Sequence, residues 1–227
     1  ACCAVGKQLH RRDGTANPEN ERESQGYPAM DRCEADEVLI RREGRAGRIT
    51  MNRPKALNAL TYAMVGRIWK ALVAWQSDPA VELVLLDGAG ERALCAGGDV
   101  RALYESRMQG SAFARTFWHD EYRLNALIGR YPKPFVAVQD GIVMGGGIGL
   151  SGHARHRVVT ERSQLAMPET GIGLIPDVGG TWLLARAPGG SGLYLGLTGQ
   201  QMRAADAIHA RFSDVFMAAH KLDDLRA

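Results

Sequence analysis

The pattern of apolar and polar positions predicts alternating strands and helices from residue 37 onward. Short apolar runs, typical of strands, recur between segments in which apolar residues lie three or four positions apart, as in helices. The predicted strands are 38–40, 48–51, 83–86, 135–138, 157–160 and 165–167, and the predicted helices are 61–78, 100–107, 112–129, 145–152 and two that begin near 179 and 191. The first two strands flank a glycine turn and should form a hairpin. This alternation predicts an α/β fold with a largely parallel sheet.

The two ends of the chain depart from this pattern. Residues 10–25 are polar and charged, so we expect residues 1–30 to be disordered or a non-native extension. A catalytic domain is predicted over residues 37–227. The last residues, 221–227, have a helical pattern without a stop signal, and we expect the C-terminal part of the domain to be truncated.

Composition and charge exclude several classes of protein. The 227 residues are 45% hydrophobic and 23% charged, which is ordinary for a globular protein, and no apolar run is long enough for a membrane span. The net charge of +3 is too mild and too evenly spread for a nucleic-acid partner, although it suits a ligand with several phosphates. Four cysteines, at positions 2, 3, 33 and 95, lack C-x-x-C spacing, which indicates a reducing compartment without a zinc site or disulfides.

The first candidate for chemistry is the loop Cys95-Ala-Gly-Gly-Asp-Val100, which leads from a strand into a helix. Amides at the start of a helix have no partners inside the helix, and they can stabilise a developing negative charge. The alternative is an ordinary loop in which Asp99 caps the helix.

The second candidate is the glycine run Gly145-Gly146-Gly147, which opens a predicted helix. Each glycine costs a helix about 1 kcal/mol relative to alanine, so bare backbone should be needed here. It could supply a second oxyanion amide or permit tight helix packing. Residues 147–152 also fit the dinucleotide motif G-x-G-x-x-G, but residues 142–144 and a turn separate the glycines from the preceding strand, which weakens that interpretation.

The third candidate is a pair of acids, Glu169 and Asp177, each of which directly follows a proline. Carboxylates that share an apolar pocket push their pKa values apart, which separates the roles of acid and base. Helix capping is the alternative for both residues, and for Asp177 the helix would open at 179–180.

Three further residues are weaker candidates on their own pattern. Glu121 lies on a helix of mixed polarity and is predicted to be at the surface. His153 and His156 could imitate a metal-binding pair, but no third ligand lies nearby in the sequence. We therefore predict a solvated loop there and no metal site.

Taken together and in this order, the segments resemble the crotonase (enoyl-CoA hydratase/isomerase) superfamily over about residues 37–216. The stretch 52–60 is similar to its early coenzyme A segment, 96–100 to its adenine and oxyanion loop, and 144–147 to its second oxyanion segment. The resemblance implies a crotonase fold of repeated ββα units, in which helices flank a largely parallel sheet. It also implies a further helical region beyond residue 227, in keeping with the truncation expected at the C-terminus.

The resemblance also implies roles for individual residues. The oxyanion donors would be the amides of Gly98 and Gly146, and the catalytic acids would be Glu169 and Asp177. The implied substrate-binding residues are Lys55, Ala56, Leu57, Ala96, Gly97, Asp99, Val100, Glu121 and Gly145, and Arg53 would lie near a phosphate.

One position separates hydrolysis from hydration in this comparison. Hydratases of the superfamily carry a catalytic glutamate where this chain has Gly149, and glycine can neither position water nor move a proton. Glu169 is retained, and Asp177 stands where hydratases have a small residue. The implied reaction is hydrolysis of a short, branched 3-hydroxyacyl-CoA such as 3-hydroxyisobutyryl-CoA, as in valine catabolism. Glu169 would act as the nucleophile or would activate a water.

Two alternatives stay open at the level of sequence. The chain could be an enoyl-CoA hydratase or isomerase that uses Glu169 alone, or a non-catalytic protein that binds coenzyme A. No metal or redox cofactor is expected, since coenzyme A is part of the substrate, and an assembly of identical chains is compatible with the sequence. The expected location is the cytoplasm of a bacterium, or the mitochondrial matrix of a eukaryote.

Overall fold

The computed structural model describes residues 37–108 and 112–226. The expectation for residues 1–30 lies outside the described residues. The described strands are β1 (Val38–Glu43), β2 (Ala46–Met51), β3 (Leu83–Gly88), β4 (Ala93–Cys95), β5 (Phe135–Gln139), β6 (Ile142–Met144), β7 (His156–Val159), β8 (Gln164–Ala166) and β9 (Val215–Phe216). The described helices are α1 (Tyr62–Ser77), α2 (Val100–Met108), α3 (Phe113–Gly129), α4 (Gly146–Ser151), α5 (Gly180–Ala185), α6 (Ser191–Thr198), α7 (Ala204–His209) and α8 (Leu222–Arg226).

The order of elements confirms the ββα repeat that the resemblance implied. β1, β2 and α1 form the first unit, β3, β4 and α2 the second, and β5, β6 and α4 the third. The predicted helices and strands are present within three residues of their predicted bounds, and the largest difference is at the end of β1, which was predicted to end at residue 40 and ends at Glu43. Three strands, β4, β6 and β9, and the helix α7 were not predicted.

The larger of two sheets has six strands in the order β1-β2-β3-β5-β7-β9. β1 and β2 form the predicted antiparallel hairpin, and every other pair of neighbours is parallel. The apolar run Val84–Leu86 in β3 is buried, as expected for a central strand covered on both faces. The largely parallel sheet is thus confirmed.

The smaller sheet has three parallel strands in the order β4-β6-β8. Cys95 pairs with Val143, and Val143 pairs with Leu165. Each of these strands is three residues long. A run of three residues is too short to display a period, so β4 and β6 escaped the pattern analysis, and only β8 was predicted, from its apolar run 165–167.

Helix α1 shows how the predicted helices reach their positions. The Thr61 hydroxyl accepts a hydrogen bond from the Met64 amide at 3.3 Å and so caps the helix. The buried residues Met64, Ile68 and Leu72 recur at helical spacing and join the main core. Packing of this apolar face, more than helix propensity, holds α1 against the larger sheet.

Candidate active site

The carboxyl ends of the smaller sheet meet at one edge and bring the candidate residues together. β4 leads into Ala96–Gly98, β6 leads into Gly145, and β8 is followed three residues later by Glu169. In parallel sheets, ligands bind in the crevice outside the carboxyl ends of the strands. The structure therefore joins three segments that are far apart in the sequence.

Two main-chain amides face this crevice. The residues on either side of Gly98 bind Leu60: the Leu60 amide donates to the Gly97 carbonyl at 2.8 Å, and the Asp99 amide donates to the Leu60 carbonyl at 3.0 Å. The Gly98 amide consequently points away from Leu60. Gly146 is the first residue of α4, so its amide has no acceptor inside the helix. A Cβ added to Gly146 would lie 3.2 Å from the Gly98 nitrogen, which shows that the two residues are adjacent.

The backbone of these segments requires glycine at two positions. Gly97 has φ 117°, and Gly145 has φ 49° with ψ −116°, conformations that residues with a Cβ rarely adopt. A Cβ at Gly147 would collide with the carbonyl oxygen of Cys95. The glycine run therefore serves tight packing at Gly147 as well as exposure of an amide at Gly146.

The dinucleotide interpretation was weakened because residues 142–144 were expected to separate the glycines from a strand. The structure contradicts this reason, because residues 142–144 themselves form the strand β6. β6 runs directly into the helix of glycines, so the glycines do follow a strand. However, protein atoms crowd the Cβ positions of Gly147, Gly149 and Gly152. These glycines pack against the protein instead of leaving room for a pyrophosphate.

Glu169 is buried beside the start of the glycine run. It begins a short 3-10 turn, Glu169–Ile172, and its Oε1 lies 3.1 Å from the Cβ position of Gly145. Neither carboxylate oxygen has a hydrogen-bond partner among the described residues. Burial raises the pKa of Glu169 to about 7, and the charge of Asp177 contributes to the shift.

Glu121, on α3, is only 2% exposed, so the prediction of a surface position was wrong. Its Oε1 lies 2.6 Å from the Cβ position of Gly146 and has no hydrogen-bond partner among the described residues. Burial raises the pKa of Glu121 to about 8, and the charges of Asp177 and Glu169 add to this effect. The implied placement of Glu121 at the site is thus supported by its position beside the Gly146 amide.

Asp177 lies close enough for its charge to raise the pKa of both glutamates. Its Oδ2 accepts a hydrogen bond from the Tyr122 hydroxyl at 2.7 Å. The capping alternative is wrong, because Gly179 occupies the N-cap of α5 without any side-chain hydrogen bond. The next residue, Val178, has φ 46°, and a β-branched residue in this region costs about 1–3 kcal/mol.

Gly149 has no room for a side chain. Its Cβ position lies 2.8 Å from Nδ2 of Asn125 and 2.8 Å from Cβ of Val178. A glutamate at this position would displace both neighbours. Asn125 is itself buried, and neither of its amide atoms has a hydrogen-bond partner among the described residues.

Tyr122 and Asn125 were not singled out from the sequence. Asn125 lies one helical turn after Glu121, so both side chains point to the same face of α3. A polar residue spaced four positions from a candidate acid, on the buried side of a helix, is the signal that could have found Asn125.

The segments implied to bind coenzyme A lie side by side. The Ala96 amide donates to the Leu57 carbonyl at 3.0 Å, which places the short turn Pro54–Ala56 next to the glycine loop. Lys55 and Ala56 are exposed on this turn, and Val100 is also exposed. This proximity agrees with the implied ligand path, and the binding of coenzyme A stays a prediction.

Asp99 and Arg53 have partners within the protein. Oδ1 of Asp99 accepts from the Ala102 amide at 3.4 Å, so the capping alternative for Asp99 is confirmed. Arg53 forms ion pairs with Asp99 at 3.2 Å and with Glu37 at 3.0 Å. Arg53 would have to leave these partners, or share them, in order to meet a phosphate.

The two candidate histidines differ in their surroundings. His156 is exposed at the start of β7, as predicted. His153 is half-buried, and its Nε2 lies 2.7 Å from the Val178 carbonyl oxygen, so the prediction of a solvated position was wrong for it. Residues 37–108 and 112–226 contain no cluster of His, Cys, Asp and Glu that could hold a metal ion. Within the same ranges, no helix is both long and apolar enough to cross a membrane.

Comparison with known proteins supports the resemblance. The family model described as Enoyl-CoA hydratase/isomerase matches residues 46–227. The "3-hydroxyisobutyryl-CoA hydrolase, mitochondrial" of Danio rerio is 48% identical over 189 residues, which cover 83% of this chain and 50% of that protein. The chain thus spans about half the length of the curated relatives it matches.

Solved structures give the same fold. A structure titled as an enoyl-CoA hydratase from Rhodobacter sphaeroides 2.4.1 superposes with a TM-score of 0.82 at 55% identity, covering 84% of this chain and 57% of that one. One titled as a carnitinyl-CoA dehydratase from Mycobacterium thermoresistibile gives a TM-score of 0.83 at 55% identity, covering 84% and 56%.

Proposed function

The chain belongs to the enoyl-CoA hydratase/isomerase family, and from this premise we propose that it hydrolyses a short, branched 3-hydroxyacyl-CoA thioester, 3-hydroxyisobutyryl-CoA in the first place. The crowding at Gly149 carries the choice of hydrolysis over hydration. It leaves no space for a second catalytic acid on α4, whereas Glu169 lies beside the glycine run and Asp177 is near enough for its charge to raise the pKa of Glu169. The name of the relative from Danio rerio supports the same substrate.

The first step of the proposed mechanism is polarisation of the thioester. The carbonyl oxygen of the substrate accepts hydrogen bonds from the amides of Gly98 and Gly146, and these donors stabilise the oxyanion that forms at that oxygen. Glu121 lies beside Gly146 and, with a pKa of about 8, is mainly protonated at neutral pH. A protonated Glu121 donates a hydrogen bond to the substrate and does not repel the oxyanion.

Glu169 then acts on the carbonyl carbon. With a pKa of about 7 it is partly ionised at neutral pH. It either attacks the carbon, forming a mixed anhydride that water hydrolyses, or removes a proton from a water that attacks directly. In both routes the carbon–sulfur bond breaks and coenzyme A leaves as the thiolate, which then takes up a proton. Asp177 assists Glu169 or binds the 3-hydroxyl group of the substrate.

The test uses the complete gene product and follows thiol release from 3-hydroxyisobutyryl-CoA. We expect Glu169→Gln to lower kcat by about 10²- to 10⁴-fold, the usual contribution of a catalytic acid or base. Glu82→Gln is the matched control, because Glu82 is exposed just before β3, at the opposite end of the strands. Unchanged turnover in Glu169→Gln would contradict the mechanism, and trapping of an anhydride with hydroxylamine would select the nucleophilic route.

Hydration or isomerisation of an enoyl-CoA is the second candidate, and the titles of the two solved structures favour it. It would have to proceed with Glu169 alone. Incubation with crotonyl-CoA separates the two candidates: loss of the enoyl absorbance without thiol release would indicate hydration. A non-catalytic protein would bind coenzyme A tightly and turn over neither substrate.

The proposal also covers the need for a cofactor, the location of the protein in the cell and its assembly. The steps above use only side chains and amides of this chain, so no further cofactor is needed. The relative from Danio rerio is named as a mitochondrial protein. We propose the mitochondrial matrix for a eukaryotic source and the cytoplasm for a bacterial one, and an assembly of identical chains stays a prediction.

A further inference from the structure

The turn that carries Asp177 has an unusual backbone. Val178 and Gly179 follow each other with φ 46° and 75°, both in the left-handed region. A β-branched residue such as valine rarely adopts this conformation, and it persists only where the surrounding structure enforces it. Some contact must therefore hold the turn.

His153 makes that contact from one side of the turn. Its Nε2 lies 2.7 Å from the Val178 carbonyl oxygen, and its ring fits so closely that a Cβ at Gly179 would lie 2.6 Å from Nε2. The Trp182 ring lies at 6.1 Å from the imidazole, between centroids. On the other side, the Val178 Cβ abuts Gly149. The turn is thus held between His153 and α4.

The hydrogen bond fixes the tautomer of His153. A carbonyl oxygen only accepts, so Nε2 must carry the proton. Burial lowers the pKa of His153, and the charge of Arg157 lowers it further, which favours the neutral ring. The ring is therefore a neutral donor to the main chain of the turn.

The position of His153 in the sequence links two parts of the site. α4 begins at Gly146, whose amide faces the crevice, and it ends two residues before His153. The short helix α4 thus lies next to both the proposed position of the substrate's carbonyl group and the turn that carries Asp177. We propose that His153 is a positioning residue, which fixes Asp177 relative to the oxyanion amide of Gly146. This inference rests on the role of Asp177 in the proposed function.

The test compares two amide substitutions in the complete gene product. His153→Gln places an amide NH₂ near the position of Nε2, whereas His153→Asn is one methylene shorter and cannot reach Val178. With 3-hydroxyisobutyryl-CoA we expect Asn to lower kcat by about 10- to 100-fold, as for a displaced catalytic group, and Gln to restore most of the loss. His156→Asn, on the exposed histidine, is the control and should leave kcat unchanged.

A double-mutant cycle with Asp177→Asn shows whether His153 acts through Asp177. If it does, His153→Asn lowers kcat by less than about twofold once Asp177 has been replaced, because residues that act as a unit are not additive. Equal losses in the Gln and Asn variants, or full additivity with Asp177→Asn, would overturn the inference. Wild-type turnover in Asp177→Asn alone would instead overturn the role given to Asp177, and absence of thiol release in the wild type would overturn the proposed function itself.

Discussion

A buried carboxylate has hydrogen-bond partners in the larger sheet, whereas a buried carboxylate at the edge of the smaller sheet has none among the described residues. In the larger sheet Asp87 is 1% exposed, and its oxygens accept from Arg48 at 2.7 Å and from Thr50 at 2.6 Å. At the edge of the smaller sheet Glu169 is nearly as buried, yet neither oxygen has a partner among the described residues. A buried charge that is paired belongs to the framework, whereas unpaired acids with shifted pKa values are typical of sites where chemistry occurs.

The largest expected effect tests the framework side of this comparison. Asp87→Asn removes the buried partner of Arg48, which keeps only the more exposed Glu43 at 2.8 Å, and should lower the free energy of unfolding by about 3 kcal/mol. Denaturant titration measures this loss, and turnover per folded molecule should stay within about twofold of the wild type. A fall in kcat comparable to that of Glu169→Gln would show that the larger sheet also takes part in the chemistry.

The next effect tests the smaller sheet. Gly147→Ala drives a methyl group against the Cys95 carbonyl, so α4 must move away from β4, and this movement should separate the amides of Gly98 and Gly146. We expect kcat to fall about 10²-fold and stability to fall by about 1–3 kcal/mol. Gly171→Ala is the matched control, since no atom lies within 4 Å of its Cβ position, and stability should change by less than about 0.5 kcal/mol. Equal activity of the two variants would contradict the role of α4.

The smallest effect concerns the dependence of stability on pH. The pKa of Glu121 is raised in the folded state from its ordinary value of 4.5 to about 8. Such an acid contributes stability that is complete below pH 4.5 and is lost as the pH rises through about 8. Glu121→Gln should therefore flatten the fall in stability over this range and raise the free energy of unfolding at pH 7.5 by about 2 kcal/mol, while it lowers turnover. Thermal unfolding at several pH values checks this. If stability depends on pH in the same way in the wild type and in the variant, the pKa of Glu121 is not raised.

The same contrast explains how much of the fold could be predicted. The strands of the larger sheet, such as Leu83–Gly88, carry apolar runs that are long enough to recognise, and the helix at Tyr62–Ser77 combines a cap with a clear period. The strands of the smaller sheet have three residues each, so their pairing depends on tertiary contacts that no local pattern records. The unpredicted strands β4 and β6 lead into the glycine segments of the candidate site, whereas β8, which was predicted from its apolar run 165–167, leads to Glu169.

The candidate site was predictable where chemistry constrains the backbone. Glycines with positive φ, such as Gly97 and Gly145, and acids after prolines stand out in a sequence. Glu121 did not stand out, because a helix of mixed polarity conceals which face is buried. The prediction of a solvated position for His153 was wrong for a similar reason. Its partner is the main-chain oxygen of Val178, and a main-chain partner cannot be recognised from the sequence.

The proposed oxyanion donors, Gly98 and Gly146, would contribute only main-chain amides, whereas the proposed acids Glu121, Glu169 and Asp177 would contribute side chains. A point mutation can exchange an acid, but only a substitution by proline removes an amide hydrogen. The half of such a pocket that binds the electrophile should therefore change less readily during evolution than the half that transfers protons. New reactions on thioesters can arise by changing single acids, which is how proteins of one fold come to act on related substrates with different outcomes.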